Sequence, residues 1–75
     1  MSYVLMKDKK YAIDIEVFTR DLDIIATYEI CELTFASKFE TEKEANEAFN
    51  LLADKTGITI ENYEDAKKLI DKEGD

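Results

Sequence analysis

Histidine and proline are absent from this 75-residue chain, cysteine occurs once, and glycine occurs twice. Without histidine, a serine or cysteine nucleophile lacks its usual base. One cysteine and no histidine cannot assemble a zinc site of the common Cys/His kind. An internal disulfide is equally impossible, so the core must hold itself together, as in the reducing cytoplasm. Neither glycine lies in a G-x-G arrangement, so no phosphate-cradling loop is legible. No apolar run approaches the roughly 18–20 residues of a spanning helix. The basic stretch Lys7–Lys10 is followed by alternating residues, not by the apolar centre of a secretory signal. Positive charge is also scarce: ten Lys and Arg face eighteen Asp and Glu, a net charge of −8.

What is present is enough to fold. Hydrophobic residues make up 45% of the chain, too many for a disordered acidic tail. The length fits one domain spanning residues 1–75, with no linker-like stretch and no internal repeat. Tyr3-Val4-Leu5-Met6 is a short apolar run, and Tyr11, Ile13, Ile15 and Val17 then alternate with Ala12, Asp14, Glu16 and Phe18. The charged connection Lys7–Lys10 joins two strands of an antiparallel hairpin. Ile24 to Phe35 reads as a third strand, rich in β-branched and aromatic residues, with a phase switch near Ile30–Glu32 that a bulge or short turn would explain.

Thr41-Glu42-Lys43-Glu44 is a capping box. Ala45, Ala48, Phe49 and Leu52 follow at helical spacing, predicting a helix over 41–56, with Gly57 as a left-handed C-cap. A second helix is expected over 62–73, with Asn62 as its N-cap and Tyr63, Ala66, Leu69 and Ile70 facing inward. Thr59-Ile60-Glu61 reads either as a short strand or as a linker. The resulting expectation is an α+β fold, a three-stranded antiparallel sheet over about 3–35 with two helices packed on one face.

Candidate chemistry is thin. Cys31, in a strand-like stretch, reads as a small core residue rather than a reactive thiol. Asp21, Asp23, Glu29 and Glu32 fall at calcium-loop positions, but Ala26 stands where the loop requires glycine. No catalytic residue, metal or cofactor is expected. Charge placement says more. Residues 1–20 carry a net +1 and residues 21–75 a net −9. Such a field opposes direct nucleic-acid binding, which draws on Lys and Arg, and favours a basic protein surface. Ordered carboxylates can occupy a nucleic-acid groove in place of phosphates. The candidates are Glu40, Glu42, Glu44, Glu47 and Asp54 around the first helix, Glu61, Glu64, Asp65 and Asp71 around the second, and Asp14, Glu16 and Glu29 on the sheet. Phe18, alone among acids on its strand face, reads as a loop-packed residue or as an aromatic anchor.

The segment Ala36–Ala45 fits the pattern A-x-x-F-x-T-x-x-E-A. It resembles a pattern of small acidic proteins of phages and mobile elements in Gram-positive bacteria, over residues 3–57. The resemblance implies a context of anti-CRISPR or anti-restriction type, in the cytoplasm of a host bacterium, and brings no catalytic residues. Together with the charge it predicts a non-enzymatic inhibitor that covers the basic nucleic-acid-binding surface of a host protein, such as a CRISPR effector, with no membrane partner. The alternative is a homo-oligomeric accessory domain, for example a homodimer paired through the sheet.

Overall fold

A computed structural model describes residues 2–73. The strands are β1 (Tyr3–Lys7), β2 (Tyr11–Arg20), β3 (Asp23–Cys31) and β4 (Ile58–Asn62), and the helices are α1 (Glu42–Leu51) and α2 (Tyr63–Glu73). The architecture is α+β, but the sheet has four strands rather than three, in the order β3-β2-β1-β4, all antiparallel. The extra strand is the stretch that could have been a linker. It pairs with β1 along its whole length, from Tyr3↔Asn62 to Lys7↔Ile58. Five residues give too few alternations for periodicity alone to separate a strand from a connection.

The helices do not share a face. Leu5, Ile13, Ala26 and Ile58 pack with Ala45, Phe49 and Leu52 of the α1 region on the front of the sheet. Val4, Met6 and Ala12 pack with Ala66, Leu69 and Ile70 of α2 on the back. The expectation of two helices on one face is therefore corrected to one helix on each. The physical reason lies in β1. A strand buried on one side alternates, whereas Tyr3-Val4-Leu5-Met6 is apolar throughout, as a strand covered on both sides must be. Val4, Leu5 and Met6 are three of the five largest fully buried side chains. Each is worth about 1.5–3 kcal/mol relative to exposure, so β1 is the strand that ties both layers together.

Element ends also differ from the periodic reading. β3 stops at Cys31, and a 3-10 turn at Leu33–Phe35 produces the phase switch. Lys38 closes that turn, its Nζ donating to the carbonyls of Leu33, Thr34 and Ala36. Helix α1 begins as expected, with Thr41 Oγ1 accepting from the Glu44 N–H at 3.1 Å. It ends at Leu51, earlier than the sequence suggests, because Leu52 turns into extended backbone and bridges to Ala26 of β3. Gly57 is left-handed, with φ of 74°, but it serves the turn into β4 rather than a helix cap. Its carbonyl accepts from the Asp8 N–H at 2.8 Å, and a Cβ there would collide with the Asp8 carboxylate. Asn62 caps α2 through Oδ1, which accepts from the Glu64 N–H at 2.9 Å.

One wedge decides the shape. β1 pairs with β2 only at Met6↔Ala12 and Lys7↔Tyr11. Beyond that, Ser37 to Phe39 takes up the freed edges: Ser37 donates to the Ile13 carbonyl, and Phe39 exchanges two backbone hydrogen bonds with Tyr3. β2 therefore parts from the sheet and continues with β3 as a two-stranded arm, paired in unbroken register from Ala12↔Cys31 to Arg20↔Asp23. The molecule is 44 Å long and 22 Å across at its next widest.

Candidate interaction surface

The arm gathers charge that the linear sequence spreads over two elements. From Asp14 to Glu29 the two strands and their turn carry five acids and one arginine, a net −4 of the chain's −8. Antiparallel pairing sets Asp14 opposite Glu29 and Glu16 opposite Thr27 on the back face. Asp14 and Glu16, two residues apart, are separated by about 6.6 Å of strand rise. Asp14 is half-buried at the root, where Ser37 Oγ donates to its Oδ1 at 2.9 Å and accepts from the Ile15 N–H at 2.9 Å. Glu16 and Glu29 are exposed.

The remaining candidate carboxylates fall into separate places. Glu40, Glu42, Glu44, Glu47 and Asp54 surround α1 on the front. Glu44 is engaged in part, since its Oε2 accepts from the Glu40 N–H at 3.4 Å. Asp54 accepts from the Thr56 N–H, and that hydrogen bond holds its carboxyl below the ordinary range. Glu61, Glu64, Asp65 and Asp71 lie around α2 on the back, with Lys67 and Lys68 among them. Glu61 accepts from Thr59 Oγ1 at 2.7 Å. Glu61 and Asp65 share with Lys9, Lys68 and Leu69 an open depression of about 380 Å³, whose two acids face two lysines. A partner with one binding face cannot cover the acids of both helices, because the sheet lies between them.

Chemistry is sparse. Burial, and then the nearby Asp14 carboxylate, push the Cys31 thiol up, which disfavours the thiolate. Among the described residues, no group of three or more His, Cys, Asp or Glu side chains could hold a metal ion, and no helix is long and apolar enough to cross a membrane.

Phe18 stands out in the sequence, whereas its apolar neighbours on the arm do not. Every residue from Glu16 to Ile24 is exposed, with neither helix over them. Val17 is 55% exposed, Phe18 42%, Ile24 58% and Leu22 99%. Asp21 and Leu22 form the two-residue turn, both left-handed, with φ of 49° and 74°. Such a turn usually takes glycine or asparagine, so the only signal in the sequence was a leucine inside the polar connection Thr19–Asp23. No family model matches the chain, and neither a curated protein nor a solved structure matches it.

Proposed function

We propose that this chain is a non-enzymatic acidic binding protein that occupies the nucleic-acid-binding surface of a basic protein and thereby inhibits it. The observation that carries the reading is the −4 arm, where ordered carboxylates stand on a strand pair projecting from the body. Carboxylates fixed by a backbone ladder present a regular line of negative charge, which is what a groove lined with Lys and Arg is built to receive. The cytoplasm of a host bacterium, and a defence nuclease such as a CRISPR effector as the target, follow from the resemblance at Ala36–Ala45.

Capture from a bacterial lysate, followed by titration with salt and with excess DNA or RNA, tests this function. The retained protein should bind nucleic acid by itself, leave the column as salt rises, and be displaced by excess nucleic acid. Glu16→Lys together with Glu29→Lys should weaken capture by about tenfold at low salt. Both side chains are exposed, so the fold should survive. Capture indifferent to salt and to nucleic acid would overturn the reading.

A further inference from the structure

We infer that the tip of the β2–β3 arm is a docking plug that enters an apolar pocket rimmed by Lys or Arg on a partner protein. The inference deepens the function proposed above and rests on it for the partner's positive charge alone. Leu22 is a branched side chain held in left-handed backbone at the apex of a two-residue turn, where glycine or asparagine would sit without strain. It is also almost wholly exposed. Neither property helps the fold.

The surroundings give the tip the layout of an interface centre. By register, Val17 and Ile24 stand on the front of the arm and Phe18 on the back, so apolar surface continues from Leu22 down both sides. Glu16, Asp21 and Asp23 surround it, against the single Arg20. An apolar anchor inside a charged rim is how binding energy and specificity are commonly divided at protein interfaces.

The rim also selects among occupants. A bilayer is disfavoured, because Asp21 and Asp23 flank Leu22 and would meet a negative headgroup surface. A second copy is disfavoured too, since it would set two acidic tips against each other. A cationic rim around an apolar floor satisfies both the carboxylates and the leucine.

The test places a benzophenone amino acid at position 22, or in a separate sample at position 47 on α1, in the full chain. Each sample is irradiated in a bacterial lysate and the crosslinked peptides are sequenced. Position 22 should crosslink a protein segment of apolar residues with Lys or Arg beside them, and position 47 should not crosslink that segment. Phe18→Asp added to the position 22 sample should reduce the yield about tenfold while leaving the thermal melt unchanged. Crosslinks to lipid, to a second copy or to a segment without basic residues would each overturn the docking mode, as would no crosslink at all. The two readings fail separately. Nucleic-acid-sensitive capture that survives Leu22→Asp removes the plug alone, whereas a position 22 crosslink indifferent to excess nucleic acid removes the mimicry and keeps the plug.

Discussion

Strand β1 and the outer half of the β2–β3 arm draw on the same kinds of residue and meet opposite surroundings. Val4, Leu5 and Met6 are fully buried between two helical layers, while Val17, Phe18 and Ile24 stand in water beyond both. The difference is not one of hydrophobicity or strand propensity. It is one of cover. β1 has a strand on each side and a helix on each face, whereas the arm parts from the sheet where Ser37–Phe39 is wedged in and, beyond the Leu52–Ala53 contact at Ala26, is left with one ladder of hydrogen bonds. Stability in such a molecule should be carried by the body, and an exposed hairpin should open locally at lower free energy.

Substitutions can break this contrast or sharpen it. The largest effect is expected for Leu5→Ala, which empties space in the front core and should cost about 2–5 kcal/mol in urea denaturation. Val17→Ala, the same kind of truncation on the arm, should stay within about 0.5 kcal/mol. Equal losses at the two sites would show that the arm belongs to the cooperative core. Gly57→Ala should come next, at about 1 kcal/mol or more, since it combines left-handed backbone with a collision at Asp8.

Smaller still, and opposite in sign, is Leu22→Gly. Relief of the left-handed leucine should raise stability by a few tenths to about 1 kcal/mol by thermal melting, while the position 22 contact with a partner disappears. A destabilised Leu22→Gly variant would mean that the tip is supported by packing. The smallest effect concerns Asp54. Its folded pKa lies below the unfolded value, so its contribution is present above the ordinary carboxylate range and fades as pH falls through the folded value. Carboxyl-carbon NMR should give Asp54 a midpoint below that of a free aspartate, and Thr56→Pro, which removes the donating N–H, should bring the midpoint back up.

Local chemistry was legible where it acts over a few residues. The Thr41 cap, the Asn62 cap and the existence of strand β2 follow from side chains reaching one turn or one pleat away, although burial along β2 does not alternate, since Tyr11 and Val17 are exposed. The end of α1 was not, because the bridge from Leu52 to Ala26 competes with the helix from 26 residues away in the chain. Of the candidate carboxylates, Asp14 and Glu16 share a face by alternation alone, whereas Glu29 joins them only because the hairpin register sets 14 opposite 29. Leu22 could be seen in the sequence as an oddity, but its exposure could not.

By itself the sequence determined the sign of the field, the missing histidine chemistry and the identity of most elements, since each depends on composition or on spacing within a few residues. Tertiary structure decided which elements share a face. A continuous apolar strand can be covered from either side, and the packing of α1 on the front leaves the back to α2. It also decided that the negative charge would project on an arm: strand separation depends on the long-range contacts of Ser37–Phe39 with both β1 and β2, which no local pattern encodes.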